Sequence, residues 1–274
     1  MTKSYRICLI LPEDNPHSLC FREIGLLLLD ALKSNGLECD FTFNKMDQYK
    51  INIILGYHLL TYSPALNIYN YIPYQLEQLH SNEYPFTPNM ENILRHAQVV
   101  WDYSEKNIAF LKEKGIEAKL LIPGYHEELE LIKPAPNKSI DILFYGSIGE
   151  RRKAILEKLS EMYKVKVLFG LYGVKRDKWI SRSKIILNLH HYSTQIFEAV
   201  RISYLLNNRC FVLSEDSIDY PYKEVDLPLV SYENLVESCI HYLKNPEKIE
   251  AIKKNNYESF KTHYLMSELI KEIL

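Results

Sequence analysis

Long apolar runs are missing from this 274-residue sequence. The most apolar stretch, IGLLLLDAL at 24 to 32, is too short to span a bilayer and contains Asp30, so it reads as a core helix. The opening MTKSYRICLILPEDN pairs a basic residue with a short, β-like apolar stretch and has no small-residue cleavage site, so neither a signal peptide nor a membrane anchor is expected. An excess of one charge sign is missing too. Lys+Arg of 33 against Asp+Glu of 35 gives a formal net charge of -2, which supplies no basic field for a polyphosphate backbone and argues against a nucleic-acid partner. The few cysteines, Cys8, Cys20, Cys39, Cys210 and Cys239, lie far apart without a CxxC pair or a Cys/His spacing suited to zinc. That usage fits a reduced, cytoplasmic protein. No G-x-x-x-x-G-K-[ST] loop and no G-x-G-x-x-G turn occurs, and the strand VKVLFG (165 to 170) does not end in the acidic residue that would hold an NAD ribose. A dehydrogenase is disfavoured.

What is present is an ordinary globular composition, 47% hydrophobic and 25% charged, in a chain long enough for two domains of moderate size. Short apolar runs at 5 to 12, 37 to 43, 51 to 57, 66 to 74, 98 to 104 and 118 to 124 read as strands, with helices between several of them. KPAPNKS (133 to 139) interrupts with linker chemistry. Strands then resume at 141 to 146, 165 to 170, 184 to 190, 210 to 215 and 227 to 232, with helices expected at 150 to 163, 195 to 206, 233 to 244 and 246 to 274, the last either continuous or broken near His263. The pattern predicts an α/β protein of two Rossmann-like doubly wound domains with an interdomain cleft. The expected boundaries are 1 to 136, 137 to 258, and a last helix, 259 to 274, crossing back to the first domain. In such sheets ligands sit outside the carboxyl ends of the strands.

Two of those strand ends carry concentrated polar chemistry. The run KIILNLH delivers His190 and His191 to the rim, and the helix expected after it carries Glu198 and Arg201. Glu198 can accept hydrogen bonds from the vicinal hydroxyls of a ribose, or pair with Arg201 one turn on along a solvated face. The histidines are loop residues or ligand contacts. Upstream, FYGSIGERRKAILEKL (144 to 159) places Gly146, Ser147 and Gly149 in a turn before a helix whose start holds Arg151, Arg152 and Lys153. Backbone N–H groups there suit a phosphate, whereas the helix dipole disfavours cations, so the turn is either a diphosphate cradle or a solvated basic patch.

Together with SKIILNLHHYSTQIFEAVRISYLLNNRCFVLSE and ENLVESCIHYLKNPEKIEAIKKNNYESF, the turn resembles the carboxyl-terminal, donor-binding domain of the GT-B glycosyltransferases, in particular the group-1-like and CgeB-like set. The resemblance covers roughly 140 to 260. It implies that Glu198 holds the donor ribose, that Gly146 to Arg152 hold the diphosphate, and that the loop from Gly170 to Tyr172 contacts the base. Many retaining members carry two glutamates with seven residues between them; here the first of those positions is His190, a departure from the pattern. In the other half YIPYQLEQL (71 to 79) looks like a segment of related transferases, with Glu77 as either an acceptor contact or a structural hydrogen-bonder. Inverting members often take a general base from the loop after the first strand, PEDNPHS here, which makes His17 and Asp14 the candidates and leaves Glu13 beside them. No carboxylate cluster resembles the D-x-D metal site of the other main glycosyltransferase fold, so no metal or cofactor is expected. The resemblance thus implies metal-independent sugar transfer from a nucleotide-sugar donor to a glycan, lipid-linked or protein hydroxyl acceptor. Closure over the donor would exclude water. The alternatives are a sugar-nucleotide epimerase of the same architecture and a non-catalytic glycan-binding protein with a degenerate donor site.

Overall fold

The computed structural model describes residues 3–79, 85–192 and 194–274. The chain forms two α/β units, Met1–Glu128 together with Leu265–Leu274, and Leu129–Tyr264. In the first unit six strands make one parallel sheet: β1 (Ser4–Leu9), β2 (Glu38–Phe43), β3 (Ile51–Leu55), β4 (Asn70–Gln75), β5 (Val100–Asp102) and β6 (Ala118–Leu120), in the order β2-β1-β3-β4-β5-β6. β1 from Ile7 to Leu9 and β3 from Ile53 to Leu55 run apolar without alternation because both faces are covered. Ile7, Ile53 and Ile72 lie side by side in register, as do Leu9 and Leu55. Between β1 and β2, α1 (Arg22–Ser34) buries Ile24, Leu27, Leu28, Ala31 and Leu32 along one face. It approaches β2 so closely that a Cβ on Gly25 would stand 2.2 Å from the Phe41 ring. Both α2 (Pro88–Arg95) and α3 (Glu105–Glu113) begin on hydroxyl caps, Thr87 and Ser104, which accept from free amides of the first turn.

The second unit holds β7 (Ile140–Tyr145), β8 (Val165–Leu168), β9 (Ser183–Asn188), β10 (Val212–Glu215) and β11 (Leu229–Val230), all parallel, in the order β11-β10-β9-β7-β8. Its helices are α4 (Glu150–Ser160), α5 (Gly173–Ile180), α6 (Ala199–Asn207), α7 (Leu235–Lys244) and α8 (Pro246–His263). Ile142, Phe144, Ile185, Leu187 and Leu213 meet Ile155, Leu159, Leu235, Cys239 and Ile249 in its core. Each such buried aliphatic side chain contributes about 1.5–3 kcal/mol.

Three features differ from the expectations. The units divide after Glu128, and the stretch at 133 to 139 belongs to the second unit rather than linking the two. Asn208 accepts from the Ile132 amide at 2.8 Å and donates to the Leu129 carbonyl at 2.9 Å, and the Ala135 amide reaches Ser181 O at 3.1 Å, so this segment is sewn onto the second unit. The segment that returns to the first unit is shorter than the expected 259 to 274: the helix breaks after His263, at the place where a break was anticipated, α8 packs Tyr257 and Phe260 into the second unit, and Leu265–Leu274, with α9 (Met266–Lys271), returns to the first. There the Met266 amide donates to Tyr125 O at 2.8 Å, and Asn35 Nδ2 donates to Ser267 O at 2.8 Å. Finally α5 was not expected, since GVKRDKWI opens on glycine and carries little apolar periodicity. Among the described residues no helix is long and apolar enough to cross a membrane.

In each sheet the strand order reverses once, between β1 and β3 in the first unit and between β7 and β9 in the second. Crossover helices leave to opposite faces at such a point and open a crevice at the carboxyl ends of the two strands.

Candidate functional site

The carboxyl ends of β7, β9 and β10 hold a connected polar network, and most of the expected second-unit residues belong to it. The register of β9 and β10 sets Asn188 beside Ser214. Asn188 Nδ2 donates to Ser214 Oγ at 3.0 Å and to Glu198 Oε2 at 2.8 Å, while its Oδ1 accepts from Arg201 Nη1 at 2.9 Å. Beyond it the chain turns, and His190 is enclosed. The His190 amide donates to Glu215 Oε2 at 3.1 Å, its Nδ1 lies 3.1 Å from Glu198 Oε1, and its Nε2 lies 2.8 Å from the Asp216 carbonyl and 3.1 Å from Ser217 Oγ.

Glu198 does not sit inside a helix. Gln195 takes φ 51°, the Phe197 amide is bound by Asp219 Oδ1 at 2.8 Å, and α6 begins only at Ala199, which leaves Glu198 as its N-cap residue. The helix expected from Gln195 is therefore shortened by one turn, because Phe197 is buried against Tyr220 and Tyr222 instead of continuing it. Nor does Glu198 form a solvated ion pair with Arg201. Its side chain is 14% exposed and hydrogen-bonded on both oxygens, to His190 and Asn188. Burial, the largest influence, pushes its carboxyl toward the neutral acid, but the His190 hydrogen bond and charge, with Arg201 and Asn188, outweigh it and hold the pKa below the ordinary value. His190 mirrors this: burial opposes its protonation, and Glu198, the Asp216 carbonyl and Glu215 together raise its pKa above the ordinary imidazole value.

At the β7 end Gly146 takes φ 142°, a conformation open to glycine. A side chain there would meet Arg201 Nη2 at 3.2 Å and Arg152 Nη1 at 3.6 Å, so two guanidiniums stand against bare backbone. Arg152 is 4% exposed and binds three carbonyls: Ser147 O at 2.8 Å, Leu189 O at 2.6 Å and His190 O at 3.2 Å. It ties the turn after β7 to the turn after β9. Burial first, and Arg201 second, bring its pKa down to about 10. Arg201 lies 4.8 Å over the Tyr145 ring, and among the described residues its Nη2 has no hydrogen-bond partner.

The basic first turn of α4 thus has protein partners for each cation. Arg151 forms a two-pronged ion pair with the buried Glu215 and stacks 4.0 Å over Tyr232, and Lys153 lies 3.8 Å from Glu157. Arg151 needs no phosphate to account for its position, because Glu215 supplies its counter-charge. Ser147 Oγ lies 3.4 Å from His191 Nδ1, and His191 is exposed. Gly149 is the N-cap of α4 with no side-chain cap bond. Gly170, at φ 68°, and Tyr172, the N-cap of α5, follow β8.

In the first unit Asp14 and His17 are exposed in the segment after β1, and the His17 amide donates to Asn15 Oδ1 at 3.1 Å. Nearby His58 is half-buried against Phe21 and Tyr57, and burial brings its pKa down to about 4. Glu77, just beyond β4, is half-buried with a carboxyl pushed up to about 7 by burial alone, while its backbone carbonyl accepts from Gln75 and Asn107. Among the described residues no group of three or more His, Cys, Asp or Glu side chains could hold a metal ion.

No protein-family model matches the chain. Two uncharacterized proteins of Acanthamoeba polyphaga mimivirus are similar: L140, 27% identical over 192 residues (63% of this chain, 61% of that protein), and L137, 25% identical over 185 residues (63% and 25%). The similarity thus spans about three-fifths of one relative and a quarter of the other. Solved structures of like fold include an alpha-glucosyltransferase in complex with UDP and a 13-mer DNA (TM-score 0.58, 12% identity, 98% of each chain). Staphylococcus aureus TarM in complex with UDP superposes at TM-score 0.57 and 10% identity, over 84% of this chain and 55% of that one. A UDP-GlcNAc 2-epimerase from Neisseria meningitidis does so at 0.52 and 12%, over 98% of each chain. The fold is that of the GT-B glycosyltransferases.

Within that fold the network includes four residues that motif reading did not single out: Asn188, Ser214, Glu215 and Ser217. A signal for three of them exists in the sequence. Adjacent parallel strands, KIILNLH and CFVLSE, both turn polar where they end, which puts Asn188, Ser214 and Glu215 at one rim.

Proposed function

We propose that this chain is a glycosyltransferase that moves a sugar from a nucleoside diphosphate donor to a hydroxyl of a glycan, lipid-linked or protein acceptor, in the cytoplasm and without a metal ion. The observation that carries this reading is the meeting, at the reversal point of the second sheet, of a doubly hydrogen-bonded carboxylate, Glu198, with two guanidiniums against the bare backbone of Gly146. Each Glu198 oxygen keeps a lone pair for one of two vicinal ribose hydroxyls. Arg201, whose Nη2 has no hydrogen-bond partner among the described residues, and the Gly146–Gly149 amides would receive the diphosphate and the charge that grows on it as the glycosidic bond breaks. His190 and Arg152 shape that pocket from behind, with Arg151 securing Glu215. Ser147 and His191 would lie beside the phosphates, and Gly170 to Tyr172 would face the base. UDP is the first nucleotide to test, because two of the neighbours of like fold are solved with it.

An acceptor hydroxyl must lose a proton as it attacks, and His17 and Asp14, exposed after β1, are the candidates to take it. His17→Ala should lower turnover while leaving donor affinity unchanged; a normal single-turnover rate would remove it from that role. Membership of the CgeB-like set is part of the same proposal. The epimerase neighbour supports a second reading, in which the sugar nucleotide is converted and no acceptor is needed.

The deciding experiment is thermal stability against a panel of nucleoside diphosphates and sugar nucleotides, for wild type and Glu198→Ala in parallel. A ligand at about 100 times its dissociation constant should add roughly 2.7 kcal/mol. A shift confined to one base and lost in the variant supports the donor site; no shift with any ligand refutes it. Product analysis of the binding donor with glycan, protein and DNA acceptors then separates transfer, which releases nucleoside diphosphate, from epimerisation, which does not.

A further inference from the structure

Both ring nitrogens of His190 face acceptors. The Asp216 carbonyl, 2.8 Å from Nε2, can only accept, so Nε2 carries a proton. Nδ1 then faces Glu198 Oε1 at 3.1 Å. A neutral ring would set its Nδ1 lone pair against a carboxylate, so the contact is attractive only when the pair holds a further proton. The charges around the ring decide where that proton sits. Glu198 at the start of α6 and Glu215 at the end of β10 favour the imidazolium, and the Asp216 carbonyl and Ser217 Oγ solvate it. Arg152 on α4, bonded to the His190 carbonyl, and Arg201 on α6 oppose it, but both also hold Glu198 ionised. The His190 side chain is 1% exposed, so water does not screen the pair.

We infer that His190 is a positioning residue of the donor site, a buried imidazolium that keeps Glu198 charged and aimed at the ribose, so that ribose recognition is lost when His190 gives up its proton. This rests on the donor reading above and adds a residue and a condition to it. With Oε1 held by His190 and Oε2 by Asn188, both ends of the carboxylate are anchored, and each oxygen keeps a lone pair for a ligand. Deprotonation removes the first anchor and replaces it with repulsion. The sign follows from the two shifts. Recognition is present between the lowered Glu198 pKa and the raised His190 pKa, fades with acid as Glu198 protonates, and fades with alkali as His190 deprotonates.

The test compares UDP with 2′-deoxy-UDP by calorimetry from about pH 6 to about pH 9. Phosphate titration is common to both nucleotides and cancels in their affinity ratio. Wild type should prefer UDP by roughly tenfold or more near neutrality, the loss expected for a hydrogen bond to a charged group, and the preference should collapse at the alkaline end. In His190→Asn an amide nitrogen replaces Nδ1 without titrating, and the preference should be independent of pH over that range. In parallel, NMR of the His190 ring in wild type and in Glu198→Gln should show a pKa above the ordinary imidazole value that drops in the variant. A ratio with the same alkaline fall in His190→Asn, or a His190 that titrates at or below the ordinary value, overturns the inference. Failure of UDP to bind at any pH is distinguishable from either result: it overturns the donor reading, and this inference with it.

Discussion

Arg152 offers the sharpest physical test of the candidate site, since replacing it with methionine keeps the stem and deletes only the guanidinium. Three carbonyls, of Ser147, Leu189 and His190, would lose their donor in a region where Arg152 itself is only 4% exposed. A hydrogen bond from a charged donor is worth about 1.5–3 kcal/mol net, so the three together contribute roughly 6 kcal/mol. Holding the cation out of water opposes this. Burial first, and the like charge of Arg201 second, bring its pKa from 12.5 to about 10, which corresponds to about 3 kcal/mol against the cation. The difference, about 3 kcal/mol, is the expected destabilisation of Arg152→Met, and for a unit of this size it should lower Tm by roughly 6–12 °C. Arg152→Lys should recover little of it, because an ammonium cannot span the forked geometry. Differential scanning calorimetry of wild type and both variants reads the effect directly. A Tm within about 2 °C of wild type for Arg152→Met would show that water replaces the guanidinium on all three carbonyls and that Arg152 is no clamp.

Two further outcomes follow from the geometry. Gly146→Ala forces an L residue to φ 142° and sets its Cβ 3.2 Å from Arg201 Nη2, so nucleotide affinity should fall at least tenfold, the loss of about one strong hydrogen bond, with Tm lowered as well; unchanged affinity in calorimetry would remove that turn from the site. Glu77 has a folded pKa raised from 4.5 to about 7, so its contribution is fully present below the unfolded value and is lost as pH rises through the folded one. Glu77→Gln should therefore raise stability at about pH 8 by up to about 3 kcal/mol, less whatever water reaches the half-buried carboxyl, and change nothing at about pH 4. Urea unfolding at the two pH values checks this, and equal effects at both would show that burial does not hold Glu77 protonated.

Much of this protein was legible from sequence because parallel strands buried on both faces announce themselves as short apolar runs. Among the described residues all eleven strands lie within or beside the expected runs, from β1 at the start to β11 near 230. The same local logic placed Glu198, Arg201, His190 and the Gly146 turn at the rim of one sheet. Side-chain identity at a strand end depends only on where apolar residues stop. What local pattern could not supply was partnership. Arg151 and Arg152 are neighbours in sequence and equal in charge, yet one is bound by Glu215 from β10 and the other by carbonyls of the turn after β9. Glu198 looked like a helix residue facing Arg201 until the buried Phe197, with its amide on Asp219, ended the helix short of it. The unit boundary moved for the same reason, since Asn208 reaches back to Leu129 and Ile132 and draws the proline-bearing stretch into the second unit. Sequence determined the elements and the residues at their ends; tertiary structure alone decided which partner each charge meets, Glu215 for Arg151, three carbonyls for Arg152, Asn188 for Arg201. Periodicity is a property of neighbours along the chain, whereas hydrogen bonding in a parallel sheet joins strands separated by an intervening helix.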